Sequence, residues 1–247
     1  MQAVILAAGV SSRLASVANG RPKCLVTVGG RTLLEHQVSG LRDCGVSEVI
    51  IVTGYCNNTL EMEAPEGCRF VYNPHFATTN SLYSLSCAYD VISGPFMLIN
   101  GDVFAHPDIY QRIARADGTT LSLDSTSGQD DEHMKVQLRD GLVEKMGKIL
   151  PQEIVHGENV GIIKFCKDGA LAMLAAARDM TSDEAGRNMW APAAVERIAS
   201  KIPVEAIDMA DLPWVEIDFP EDLQHAREVT HPSIYGVETS RLATVQN

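Results

Sequence analysis

Residues 3–9 of the chain, AVILAAG, form a short apolar run that leads directly into a loop of small residues. Similar apolar runs, among them 48–53 and 96–99, alternate with helical patterns through the first half of the chain. This alternation is typical of a parallel sheet that is covered by helices. The sequence therefore predicts an α/β fold built on a single doubly wound, mostly parallel sheet.

The pattern changes after residue 124. The runs 133–138 and 142–148 flank the dipeptide Asp140-Gly141, which is a strong signal for a two-residue hairpin turn. We therefore expect antiparallel strands to extend the sheet in this half. Beyond residue 230 the pattern fades, which predicts one domain over 1–230 and a polar, disordered tail over 231–247.

The composition is that of a globular protein, because 45% of the 247 residues are hydrophobic and 21% are charged. No apolar run approaches the roughly 20 residues that span a bilayer, and the first residues lack the basic segment and cleavage site of an export signal. We therefore expect a cytoplasmic protein without a membrane partner. The six cysteines include no CxxC pair, so we interpret them as reduced packing residues.

The net charge of −12 argues against non-specific binding to nucleic acid. Residues 1–34, however, carry four basic side chains and no acidic one, and the remaining chain carries 16 basic against 32 acidic side chains. A cationic amino-terminal segment on an acidic body suits a small polyanion that binds at one place.

The stretches 6–14, LAAGVSSRL, and 21–25, RPKCL, have the features of a phosphate-binding loop. A strand that runs into small residues lets backbone amides approach phosphate oxygens, and Arg13 and Lys23 supply positive charge. The loop lacks both the GxGxxG pattern of dinucleotide folds and the GxxxxGK[ST] pattern of P-loop kinases. The alternative is an ordinary turn with solvated basic residues.

Two carboxylates directly follow predicted strands. Asp102 lies in NGDVF, 100–104, and the carboxyl ends of parallel strands are where α/β sheets bind ligands. Asp218 lies in EIDFPED, 216–222, where it could instead cap the helix that opens at Pro220. Because Mg²⁺ takes one or two protein carboxylates and fills its other positions with water and phosphate, this pair is a candidate magnesium site.

Together these stretches resemble the signature of the nucleotidyltransferases that join an NTP to a small phosphorylated acceptor and release pyrophosphate. Four more stretches are similar to the subgroup of phosphocholine and phosphonate cytidylyltransferases: GYCNN (54–58), FVYNPHFATTNSLYSL (70–85), MKVQLRDG (134–141) and GENVGIIKF (157–165). The resemblance spans about residues 2–229. It implies a Rossmann-like nucleotidyltransferase sheet whose antiparallel extension covers the acceptor, with CTP and a small phosphonate or phosphate as substrates.

The resemblance also implies a role for each matching position. The nucleotide would be bound by Leu6, Ala8, Gly9, Asn80, Ser81 and Gly101. The catalytic charges would come from Arg13 and Lys23 against the nucleotide phosphates and from Lys135 near the reacting phosphoryl group.

The remaining implied roles concern the metal and the acceptor. Asp102 and Asp218 would hold Mg²⁺. The acceptor pocket would be shaped by Lys135, Glu158 and Trp190. An acceptor phosphate or phosphonate is ionised near neutral pH, so the reaction needs no side-chain base, only positioning and charge.

The segment 124–133, DSTSGQDDEH, is expected near the acceptor and contains no aromatic residue. Choline binds to aromatic faces, so this composition favours a phosphonate or another small phosphorylated metabolite over phosphocholine. Two alternatives remain open: a sugar-1-phosphate nucleotidylyltransferase and a non-catalytic nucleotide-binding regulator. A glycosyltransferase would need a DxD motif, and here Asn100 occupies the first position of that triplet.

Overall fold

The computed structural model describes residues 1–10, 12–128 and 130–236. The strands are β1 (Gln2–Ala7), β2 (Thr27–Val28), β3 (Arg31–Thr32), β4 (Glu48–Thr53), β5 (Cys68–Tyr72), β6 (Phe96–Asn100), β7 (Val103–Ala105), β8 (Thr119–Asp124), β9 (Lys135–Arg139), β10 (Leu142–Gly147), β11 (Gly157–Phe165), β12 (Val204–Asp208) and β13 (Trp214–Glu216). The helices are α1 (Ala15–Ala18), α2 (Leu33–Asp43), α3 (Asn57–Glu63), α4 (Ser81–Cys87), α5 (Pro107–Arg115), α6 (Lys167–Met180), α7 (Glu184–Arg187), α8 (Ala191–Ala199), α9 (Pro220–His225) and α10 (His231–Tyr235). Every one of these described helices falls short of the length and apolar character that a bilayer crossing requires.

The central sheet has nine strands in the order β5-β4-β1-β6-β11-β8-β12-β10-β9. The four strands β5, β4, β1 and β6 are parallel, and β12 is parallel to β8. This confirms the predicted α/β class with its mostly parallel sheet. Strand β11 runs antiparallel to both of its main neighbours, β6 and β8, an insertion that local sequence patterns did not indicate.

The apolar run in β1 is continuous because both faces of the sheet are buried. Val4 packs into one hydrophobic cluster, whereas Ala3 and Ile5 pack into another. Successive side chains of a strand point to opposite faces, so a strand with helices on both sides has no place for polar residues. All three side chains are fully buried.

The predicted hairpin is confirmed at the far edge of the sheet. β9 and β10 pair antiparallel, and the turn residues Asp140 and Gly141 have φ values of 52° and 79°. Positive φ at both central residues is the geometry that suits the right-handed twist of the flanking strands. The hairpin extends the sheet beside β11, to which β9 is also paired.

A separate two-stranded sheet joins β7 to β13 and positions the candidate metal site. The strands pair antiparallel with Glu216 opposite Val103, and the Ile217 amide donates to the Asp102 carbonyl at 2.9 Å. This pairing brings together two acidic segments that lie far apart in the sequence.

The carboxyl-terminal segment continues as helix beyond the predicted boundary at residue 230. A π-helical turn, Ala226–Thr230, leads into α10, where the His231 ring stacks on Phe104 with an interplanar angle of 15°. The first five positions of the predicted tail are therefore helical. Residues 237–247 lie outside the described residues, and the division into a domain and a tail stays a prediction.

Candidate active site

A cavity of about 350 Å³ opens at the carboxyl ends of β1 and β6. Most of the residues predicted for the site line it: Leu6, Ala8, Gly9, Arg13, Lys23, Asn80, Ser81, Gly101, Asp102, Trp190 and Asp218. The cavity therefore collects side chains from the amino-terminal loop, the segment after β6 and the segment after β13.

Close backbone packing holds the two strand ends at the cavity. The Gly101 amide donates to the Leu6 carbonyl at 3.0 Å, and a Cβ atom at Gly101 would lie 2.5 Å from the Leu6 oxygen. Only glycine fits at that separation. The Tyr55 amide donates to the Ala8 carbonyl at 3.1 Å and holds the loop from its other side.

Asn80 and Ser81 reach the cavity at the amino terminus of α4. The Asn80 side chain caps the helix by accepting a hydrogen bond from the Ser81 amide at 2.8 Å. The Ser81 hydroxyl in turn accepts from the Ala191 amide at 2.8 Å and ties α4 to α8. Both predicted nucleotide-binding residues thus have structural hydrogen bonds as well as a place on the cavity wall.

Three carboxylates meet on one side of the cavity. One oxygen each from Asp102, Glu216 and Asp218 lies within 4.8 Å of the others. The structure therefore brings the two predicted metal ligands together and adds Glu216, which the sequence reading missed. The available signal was the spacing, because residues two apart on a strand share a face and Glu216 precedes Asp218 by two.

Two cations oppose this acidic cluster. The Lys23 ammonium lies 2.9 Å from Asp102 Oδ2 and also pairs with Asp218, and Arg13 Nη2 donates to Asp218 Oδ2 at 2.8 Å. Burial disfavours a charged Lys23, but the attraction of Asp102 and Asp218 outweighs it and raises the pKa of Lys23 above its ordinary value. Lys23 is therefore cationic at neutral pH.

The donor set fits a hard divalent cation. Burial, followed by repulsion from Asp102 and Asp218, raises the pKa of Glu216 well above its ordinary value. Asp102 Oδ1 is buried and accepts no hydrogen bond from any residue in the described ranges. Oxygen ligands of this kind, with more acids than neighbouring cations, match the chemistry of Mg²⁺.

A second set of charges crosses the mouth of the cavity. Glu132 Oε2 lies 3.1 Å from Arg13 Nη1 and 2.9 Å from Lys148 Nζ, and the Lys148 ammonium lies 5.3 Å from the centre of the Trp190 ring. The predicted Trp190 is 47% exposed and forms part of this rim. Glu132 and Lys148 were not predicted, and no spacing in the sequence marks them.

Lys135 and Glu158 lie behind the cavity wall instead of on it. Their exposed fractions are only 4% and 3%, and neither residue lines the cavity. The Lys135 ammonium donates to the Lys148 carbonyl at 2.8 Å. The structure thus places the predicted acceptor residue Lys135 as a support for Lys148, which does line the cavity.

The buried Glu158 side chain contacts two half-buried residues, Ser127 and His133. Ser127 donates its hydroxyl to Glu158, and Glu158 Oε2 lies 3.2 Å from His133 Nδ1. The same His133 nitrogen lies 3.2 Å from the Gly128 amide nitrogen. Burial, with added repulsion from acidic neighbours, raises the pKa of Glu158 to about 7.

The raised pKa predicts that the Glu158→Gln variant gains stability relative to the parent as pH rises. The folded state holds the Glu158 proton up to a pKa of about 7, whereas the unfolded chain releases it near 4.5. Stability is thus greatest when Glu158 is protonated, and it falls by about 3 kcal/mol as pH rises through this interval. Denaturant unfolding of both proteins at pH 5 and pH 8 measures the difference.

The matched control for this measurement is Glu153→Gln, which changes an exposed carboxyl group in the same region of the chain. We expect its free energy of unfolding to follow that of the parent at both pH values. A constant difference between Glu158→Gln and the parent across the range would contradict the raised pKa.

The chain is similar to several known proteins. A family model described as the MobA-like NTP transferase domain matches residues 3–156. The CMP-5'-(3-aminopropyl)phosphonate synthase of Streptomyces rubellomurinus is 36% identical over 121 residues, which cover 47% of this chain and 19% of that protein. The bifunctional IPC transferase and DIPP synthase of Rubrobacter xylanophilus is 30% identical over 234 residues, 92% of this chain and 51% of that protein.

The chain therefore spans only about a fifth and about half of these two relatives. Among solved structures, a CTP:phosphocholine cytidylyltransferase from Streptococcus pneumoniae superposes with a TM-score of 0.76 at 21% sequence identity. The match covers 92% of this chain and 98% of that one. At this identity the superposition establishes the fold.

Proposed function

Because the chain belongs to the family of the MobA-like NTP transferase domain, we propose that it transfers a nucleotidyl group from an NTP to a small phosphonate or phosphate acceptor. The observation that carries the proposal is the meeting of Arg13 and Lys23 with Asp102, Glu216 and Asp218 at one cavity. CTP as the donor is supported by the sequence resemblance and by the names of the relatives.

The proposed reaction is a displacement at the α-phosphorus of the nucleotide. An ionised oxygen of the acceptor forms the new P–O bond, and the bond to the β-phosphate oxygen breaks, so that pyrophosphate leaves with the electron pair. No proton has to be removed from the acceptor, and catalysis is positioning together with charge stabilisation.

The basic and the acidic residues of the site have different roles in the proposed reaction. Arg13 and Lys23 neutralise phosphate oxygens and the charge that develops on the leaving pyrophosphate. Asp102, Glu216 and Asp218 would hold a divalent ion, proposed to be Mg²⁺, which when bound supplies further positive charge to the phosphate oxygens. The acidic cluster in turn keeps Lys23 charged and in place.

The acceptor is proposed to bind at the wall that carries Lys148. This wall also includes Met134, Asn159, Trp190 and Pro192. Lys148 presents the cation that we expected from Lys135, so we assign the acceptor's phosphoryl group to Lys148. Among the described residues the cavity lining includes two aromatic side chains, Phe76 and Trp190, and Lys148 already covers the Trp190 ring. This arrangement favours a phosphonate or other phosphorylated metabolite over phosphocholine.

We expect the Lys148→Ala variant to raise the KM for the acceptor about 10- to 100-fold, because a charge-assisted hydrogen bond to a phosphoryl group contributes about 1.5–3 kcal/mol. The KM for the nucleotide should change much less. The control is Lys145→Ala, which removes an exposed lysine from the same part of the hairpin. Equal effects of the two variants on the acceptor KM would contradict the assignment.

The experiment that tests the proposed function is an assay of pyrophosphate release. Each NTP is supplied with and without Mg²⁺, together with phosphonates, phosphocholine or hexose-1-phosphates. We expect release with CTP, Mg²⁺ and a phosphonate or small phosphate. Pyrophosphate release only with hexose-1-phosphates would show that the acceptor is a sugar phosphate instead. Nucleotide binding without pyrophosphate release would indicate a regulator.

A further inference from the structure

Gln37, on α2, lies directly behind the turn that carries Asp102. Its side chain is fully buried. The amide nitrogen Nε2 donates to the Asn100 carbonyl at 2.9 Å and to the Val103 carbonyl at 2.8 Å. These two carbonyls flank Asp102, one on each side, so a single side chain spans the turn from behind.

The helix that presents Gln37 is itself held in place. The Thr32 hydroxyl accepts from the Glu35 amide at 3.1 Å, and the Glu35 carboxylate accepts from the Thr32 amide at 2.6 Å, which forms a capping box. The apolar residues Leu34, Val38 and Leu41 pack α2 into the core. Gln37 therefore projects from a rigid element.

Burying an amide at this position is unfavourable unless its donors are used. Gln37 Oε1 is buried and accepts no hydrogen bond within the described part of the chain. The oxygen of the amide therefore does not offset the free-energy cost of burying the side chain. Both donors of Nε2, by contrast, are used on the Asn100 and Val103 carbonyls. The amide is thus matched to the turn, and an apolar side chain of the same size would leave both carbonyls without these partners.

From these contacts we infer that Gln37 is a positioning residue for Asp102. It holds the turn 100–103 so that the Asp102 carboxylate faces Glu216 and Asp218, with the Asp102 carbonyl fixed from the other side by the Ile217 amide at 2.9 Å. The inference rests on the proposed function, because it assigns Gln37 to the proposed metal site. Partners that orient metal ligands contribute about 10- to 100-fold in metal affinity.

The test measures Mn²⁺ binding to the full chain in the absence of nucleotide, by electron paramagnetic resonance of the free ion. We expect Gln37→Met to weaken Mn²⁺ binding about 10- to 100-fold and to lower kcat at limiting metal. Raising the metal concentration should recover much of kcat, since the ligands themselves remain. Gln37→Glu keeps the side-chain volume and retains one hydrogen-bond donor when protonated, so it should weaken Mn²⁺ binding less than Gln37→Met does. It replaces Gln37→Met in the measurement if that variant does not fold.

The control is Leu41→Ala, which removes buried contacts one turn further along the same helix. We expect it to lose stability while keeping the parent's Mn²⁺ affinity. Unchanged Mn²⁺ affinity in the Gln37 variants, or an equal loss in Leu41→Ala, would overturn the inference. If the parent binds no Mn²⁺, the proposed metal site itself fails, and that result is distinct from a failure of Gln37 alone.

Discussion

Lys23→Met should lower turnover by about 10³-fold, the largest effect expected from removing one cation. Losing a single preorganised donor to a developing negative charge lowers kcat by about 10²–10³-fold, and Lys23 also pairs with both Asp102 and Asp218. The measurement is kcat from pyrophosphate release at saturating CTP and acceptor.

Lys23→Met should also destabilise the free protein, because among the described residues it leaves Arg13 as the one cation paired with the three neighbouring carboxyl groups. Mg²⁺ should restore part of the lost stability by binding to them. The control is Arg21→Ala, which removes a nearby cation that pairs with Glu63 and does not line the cavity. Turnover of Lys23→Met within a few-fold of the parent would rule out the role assigned to Lys23.

The second large effect is expected for Asp102→Asn. The amide keeps the shape of the side chain but removes a charged ligand from the centre of the proposed metal site, so turnover should fall about 10³-fold and Mg²⁺ should no longer stabilise the protein as in the parent. Pyrophosphate release and thermal unfolding with and without Mg²⁺ measure the two effects.

Stability without metal should respond differently in this variant. Asp102 raises the pKa of Glu216 by repulsion, so its neutralisation removes an unfavourable contact and offsets the weaker pairing with Lys23. We expect unfolding without metal to be little changed. Asp208→Asn is the control, because that carboxylate also ends a strand but lies outside the cavity lining. Equal losses of turnover in the two variants would show that Asp102 has no special role.

A loss of stability in Lys23→Met but not in Asp102→Asn, combined with similar losses of activity, would distinguish a functional cluster from a structural ion pair. In a structural pair, removal of either partner destabilises the protein because the other charge is left buried and unpaired. Here Lys23 stabilises the cluster, whereas the three crowded carboxyl groups destabilise it in the absence of metal. Sites of this kind sacrifice stability for the ability to bind a ligand.

The sequence determined those features of the fold that depend on local pattern. The strand at 48–53 appears with the predicted bounds, and the turn at Asp140-Gly141 has the predicted positive φ values. The position of Asp102 was predictable because it follows the buried strand β6, whose carboxyl end lies at the edge of the sheet where ligands bind. Asp218 follows β13, a half-buried strand of the separate two-stranded sheet, so its position beside Asp102 depends on the pairing of β13 with β7. For the strand, the turn and Asp102, the physical cause lies within a few residues of the chain.

Only the tertiary structure decided which residues face the cavity from the hairpin half. Met134 lines the cavity, whereas its neighbour Lys135 points behind the wall and supports Lys148. Strand residues alternate between faces, so a shift of one position exchanges a substrate contact for a buried support, and local pattern does not say which face meets the cavity. Long-range strand pairing decides which side chains face the cavity, because β11 lies antiparallel between β6 and β8. The pairing of β13 with β7 likewise brings Glu216 to Asp102.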